Sequence, residues 1–104
     1  MKKIVCKEFG PVDDLVWEEG NSLEPLPNEV VIEIKSAALN FPDYLIVQGL
    51  YQIKPPLPFI PGNEGAGVVK KIGDDVGKHK VGDRVYFMSG IGAFAEETSL
   101  DQNQ

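Results

Sequence analysis

Apolar residues in this chain come in short alternating runs, repeatedly cut by glycine and proline. The clearest run is Glu29 to Ala38, where Val30, Ile32 and Ile34 alternate with Val31, Glu33 and Lys35. A period of two sends these sets to opposite faces, so the run predicts a strand with one apolar and one mixed face. Further strands are predicted at Lys2 to Glu8, Leu15 to Glu18, Gly65 to Ile72, Arg84 to Met88 and Ala93 to Thr98. Gly10-Pro11, Pro25-Leu26-Pro27-Asn28, Gly73-Asp74-Asp75 and Gly82-Asp83 separate them as turns. Short strands so spaced predict a mainly β protein, an antiparallel barrel or sandwich.

One helix interrupts the series, from Pro42 to Gln48. Pro42 fits the first turn, where a missing N–H costs nothing, and Gly49 fits the left-handed stop. The segment Leu50 to Pro61 carries Pro55, Pro56, Pro58 and Pro61, too rigid for helix or central strand, and reads as an extended surface loop. Residues 101–104 read as a linker or frayed end, leaving 1–100 as the folded unit.

Composition adds exclusions. With 104 residues and 42% hydrophobic content the chain is one domain that can bury a core. Ten Lys and Arg against 16 Asp and Glu give a net charge of −6, which argues against nucleic acid and against an anionic membrane surface. A single cysteine permits neither an internal disulfide nor a multi-thiolate zinc site. The apolar run after Lys3 is only Ile4-Val5-Cys6, short of the roughly 7–15 residues of a secretory signal. No stretch approaches the ~20 apolar residues of a membrane span, so the cytoplasm is the expected compartment.

Candidate chemistry is sparse. Cys6 lies in an apolar strand and reads as a small buried hydrophobe, and His79 between Lys78 and Lys80 reads as a solvated loop residue. The adjacent acids Asp13-Asp14, Glu18-Glu19, Asp74-Asp75 and Glu96-Glu97 read as solvated surface. Gly62-Asn63-Glu64-Gly65-Ala66-Gly67 contains Gly-x-x-Gly-x-Gly, yet Pro61 precedes it and Val68-Val69-Lys70-Lys71-Ile72 follows. A dinucleotide turn instead follows a strand and opens a helix, so these glycines read as a place where another backbone comes close. Glu64 among them is either a structural ion pair or backbone acceptor, or a group beside a cleft.

Asn40-Phe41-Pro42-Asp43-Tyr44, Gly49-Leu50-Tyr51, the run from Pro58 through Gly62 to Val69, Gly82-Asp83-Arg84-Val85 and Gly92-Ala93-Phe94-Ala95-Glu96-Glu97 occur in this order. Together they resemble the N-terminal domain of the medium-chain dehydrogenase/reductases, over nearly the whole chain. The resemblance implies a GroES-like fold, a partly open β-barrel of short strands with one or two short helices. In the zinc alcohol dehydrogenases of that family a Cys stands three residues before the motif Asp, and a His just before the motif Glu. Asn40 and Asn63 occupy those places here, and amides are poor Zn²⁺ ligands. The resemblance is therefore to the zinc-independent quinone oxidoreductase branch, and no zinc is expected.

That resemblance implies an NAD(P)H-dependent oxidoreductase moving hydride from NADPH to a quinone or an α,β-unsaturated carbonyl. Asn40 would approach the nicotinamide end of the cofactor, or simply cap the helix. Tyr44 and Tyr51 would line the same cleft as catalytic residues, Tyr51 also meeting the cofactor, or pack as core and loop residues. Asp43 is expected to bind backbone N–H groups at the helix start, and Arg84 to pair with a neighbouring carboxylate.

The family's Rossmann cofactor domain is absent from these residues, so the chain is expected to be an excised or truncated substrate-side domain, inactive alone and a weak NADPH binder. A homodimer of the parent is compatible with the resemblance. Two non-catalytic readings stand beside it. A co-chaperonin shares the barrel but has no use for the Asn40 to Tyr51 string, and the Pro-rich segment is stiffer than its mobile loop. A stand-alone GroES-like binding or interaction module is the other.

Overall fold

The computed structural model describes residues 1–103. The strands are β1 (Lys2–Val5), β2 (Val16–Glu19), β3 (Glu29–Ala38), β4 (Glu64–Ile72), β5 (Arg84–Met88) and β6 (Glu97–Asp101), with a 3₁₀ turn at Val12–Asp14 and one helix, α1 (Phe41–Val47). All pairings are antiparallel, in a four-stranded sheet ordered β5-β4-β3-β6 and a hairpin β1-β2. Single bridges, Lys3 with Ala95 and Cys6 with Phe59, tie the hairpin to the rest. The sheet does not close, as the partly open barrel requires. No helix among the described residues is long and apolar enough to cross a membrane.

β3 is the spine. Val30, Val31 and Ile32 are all buried, rather than alternating, so both faces of the strand are covered where it runs between β4 and β6. Past Glu33 the pairing with β6 ends, and Lys35 to Ala38 emerge into solvent. The β3–β4 register slips twice, skipping Lys70 on β4 and Lys35 on β3. At Gly67, opposite Ile34, a Cβ would sit 2.0 Å from the Glu33 carbonyl oxygen. The close backbone approach expected of the glycine cluster is realised there.

Two apolar clusters form the core. Val30, Ile32, Val69, Phe87, Ala93 and Leu100 fill the sheet. Cys6, Ile46, Val47 and Phe59 join β1, α1 and the Pro-rich loop, with Tyr51 and Ile91 packed against them. Cys6 is buried as expected, and burial pushes its thiol upward against a smaller opposing effect of the Glu8 backbone contact.

Three expectations need correction. The strand placed at Ala93 to Thr98 lies at Glu97–Asp101. Residues 92–94 instead spend their N–H groups on the carbonyls of Ile60, Gly62 and Pro61 at 2.7–3.0 Å, and β1 bridges Ala95. The segment expected to be a linker begins inside the sheet, with Asp101 opposite Glu29. Gln102 donates from its backbone to Asn28 at 2.9 Å, while Gln104 lies outside the described residues. Arg84 is exposed and forms no ion pair with any described residue.

Candidate functional site

Helix α1 places the first group of candidate residues, and its ends are chemically set. Pro42 sits in the first turn, and the Asp43 carboxylate accepts the Asn40 backbone N–H at 2.9 Å, as the helix-start reading of Asp43 required. At the other end Gly49 has φ +73°, its N–H reaches the Ile46 carbonyl at 3.0 Å, and Leu50 N–H reaches Leu45 at 3.0 Å. That pair of bonds is a Schellman stop, which turns the chain sharply into the loop carrying Tyr51. Asp43 is only 2% exposed, and its second oxygen, Oδ1, has no hydrogen-bond partner.

Between α1 and the segment after β5 lies a cavity of about 420 Å³. Pro42 and Ile46 of α1 form one wall, and Tyr51, Ile53 and Pro55 a second. Asn63 and residues 89–91 form the third. Its floor is the second core cluster, since Ile46, Tyr51 and Ile91 belong to both. No charged side chain among the described residues lines it. Its polar side chains are Tyr51, Asn63 and Ser89, and the Ser89 hydroxyl is already donating to the Ile91 carbonyl at 2.6 Å.

The structure brings the expected site residues together only in part. Tyr51 lines this cavity. Tyr44 does not, being 50% exposed and stacked on Phe41 with ring centroids 6.3 Å apart. Asn40 is half-buried at the helix entrance, outside the cavity lining. Glu64 opens β4 and makes no ion pair or side-chain hydrogen bond with a described residue. It lies with Ala38, Ala66, Tyr86 and Met88 on an exposed face of the sheet. His79, expected in solvent, is half-buried with Nε2 3.2 Å from the Gln102 carbonyl.

Sequence reasoning passed over Glu97 and the cavity role of Asn63. Glu97, which its place beside Glu96 assigns to solvated surface, is only 5% exposed. Burial pushes its carboxyl up, but hydrogen bonds from Lys70 Nζ (2.5 Å), Leu23 N (2.9 Å) and Ser22 Oγ (3.0 Å) outweigh burial and bring it down to about 2. A larger, open depression of about 550 Å³ lies beside Lys70 and Lys71. Those lysines are already paired with Glu97 and Glu24, so it offers no free cation pair for an anion.

An open antiparallel barrel with a short helix and a Pro-rich loop framing an apolar cavity defines a GroES-like domain. Residues 26–104 match the alcohol dehydrogenase GroES-like domain family, and the chain belongs to it. Within that family it is similar to quinone oxidoreductases and to the synaptic vesicle protein VAT-1. It is 46% identical over 76 residues to rat quinone oxidoreductase-like protein 2, covering 73% of this chain and 22% of that protein. It is 36% identical over 106 residues to mouse synaptic vesicle membrane protein VAT-1 homolog, covering 100% of this chain and 26% of that one. Escherichia coli quinone oxidoreductase, solved in complex with NADPH, superposes with a TM-score of 0.88 at 35% identity, over 96% of this chain and 31% of that structure. The chain thus spans between about a fifth and a third of the length of these relatives.

Proposed function

We propose that this domain is the substrate side of an NADPH-dependent, zinc-independent quinone or enone oxidoreductase of the cytoplasm, whose Rossmann cofactor domain lies in the remainder of a longer polypeptide. The observation that carries this reading is the uncharged cavity with apolar walls and a few placed polar groups, suited to a flat conjugated carbonyl compound. Quinone oxidoreductases among the relatives support the reaction class. NADPH supplies the hydride when bound. The cavity fits the nicotinamide end of such a cofactor and not its phosphates, because no Lys or Arg lines it.

In this reading Tyr51, whose hydroxyl makes no hydrogen bond to a described residue, orients the acceptor oxygen or the nicotinamide amide. Asn40 offers its side-chain amide to the cofactor from the helix entrance. Tyr44, on the outward face of α1, meets cofactor or substrate from the side that the second domain covers. Asn40 and Asn63 stand where zinc enzymes of the family hold Cys and His, so this chain's residues offer substrate and cofactor hydrogen bonds in place of metal ligation.

Without the residues that grip pyrophosphate and adenosine, the isolated chain is expected to bind NADPH more weakly than ~1 mM. Titration followed by nicotinamide fluorescence checks this. Binding at micromolar NADPH would contradict the division of labour between two domains.

A further inference from the structure

The geometry points to Asn63 as the hydrogen-bond donor that fixes the carbonyl oxygen of a conjugated ketone in the cavity; this rests on the reading above and names a residue and atom for it. Asn63 is fastened by two bonds to one neighbouring segment. Its backbone carbonyl accepts Ser89 N–H at 2.7 Å, and its side-chain Oδ1 accepts Gly90 N–H at 2.7 Å. A backbone N–H can only donate, so the atom facing Gly90 must be oxygen. Flipping the amide would set its NH₂ against that N–H, donor to donor. The orientation of the Asn63 side chain is therefore settled by chemistry.

The consequence falls on the other end of the amide. Nδ2 makes no hydrogen bond to any described residue, and Asn63 stands in the cavity wall with Tyr51. The segment that holds it is itself anchored, because Ser89 Oγ bonds the Ile91 carbonyl at 2.6 Å and Gly92 N–H bonds Ile60 at 2.7 Å. A donor held in place before the ligand arrives costs little reorganisation when charge grows on the carbonyl oxygen. An amide also stays neutral and donating at every working pH. The walls contributed by Pro42, Ile46 and Ile53 offer an apolar ring no competing polar group.

Asn63→Asp separates the two ends of the side chain. It keeps an oxygen for Gly90 N–H, and it replaces the donor with an oxygen that repels a carbonyl. The chain would be titrated by NMR with 2-cyclohexenone and with cyclohexene, a ring of similar size lacking the carbonyl. Expected are shifts of the Asn63 side-chain NH₂ and the Ile91 methyl resonances with the enone. N63D should bind the enone about tenfold more weakly, the loss of one well-placed hydrogen bond, with cyclohexene affinity unchanged and the Gly90 amide still protected from solvent exchange. Movement of Ile91 with a stationary Asn63 NH₂, or equal enone affinity in N63D, would overturn the donor role and leave the cavity standing as the substrate site. Ile91 untouched by either ring would remove the cavity as a ligand site, and the proposal with it. The wild-type NH₂ shift decides the question even where N63D folds poorly.

Discussion

Gly67→Ala is expected to cost the domain on the order of 3 kcal/mol and to lower its thermal midpoint by about 15 °C. An added Cβ would lie 2.0 Å from the Glu33 carbonyl oxygen, 2.9 Å from its carbon and 3.0 Å from Ile32 Cγ2. Two of these atoms are backbone of β3, the strand that holds both neighbours of the main sheet, so no side-chain rotation relieves the clash. Relief means prising β3 from β4 beside the skipped residue Lys35, and with it the cluster of Val30, Ile32 and Val69. Gly77→Ala is the control, because nothing lies within 4 Å of its added Cβ, and it should be neutral. Thermal unfolding of both variants gives the comparison. Equal midpoints would contradict the close approach of the two strands.

Glu97→Gln should destabilise the domain by roughly 2 kcal/mol at neutral pH, the linkage value after discounting for the solvent that reaches Lys70. Glu97 draws Lys70 of β4 and the Ser22–Leu23 segment onto the start of β6. Its carboxyl is lowered from the ordinary 4.5 to about 2, so the folded state holds the proton less tightly than the unfolded chain. The stabilisation is then complete above about pH 4.5 and is lost as pH falls toward 2. Urea unfolding of wild type and E97Q at pH 7 and pH 3 checks the sign. The gap between the two should be wide at pH 7 and narrower at pH 3, and a gap independent of pH would refute the ionic account.

What the sequence made visible follows from how local each cause is. The helix start and stop were readable because Pro42, Asp43 and Gly49 act within one turn of where they stand. The crowding at Gly67 was readable because small residues in a strand have few other uses. Glu97 was not readable, since its neighbours along the chain resemble any exposed acid. Its partner Lys70 is 27 residues distant and Ser22 is 75. The shift of the last strand has the same origin, because the alternation over Ala93 to Thr98 says nothing of Gly62 and Pro61, which claim the N–H groups of Ala93 and Phe94.

Within the site, the position of Tyr51 came from its motif and its loop. The motif did not determine that Tyr44 turns outward onto Phe41. Helical spacing alone allows either face until the packing of Ile46 and Val47 fixes the helix rotation. The donor end of Asn63 likewise depends on Gly90, whose backbone N–H sets the amide from 27 residues away.

The most direct test of the two-domain reductase is to capture the native polypeptide from its source cells through this domain, and to measure NADPH consumption with a quinone and with an enone. A polypeptide about three times the length of this chain, as the 31% coverage of the Escherichia coli enzyme suggests, that oxidises NADPH only when an acceptor is present is the predicted result. A polypeptide no longer than this chain, or a longer one that leaves NADPH untouched with both acceptors, would contradict it and make partner binding the function to pursue.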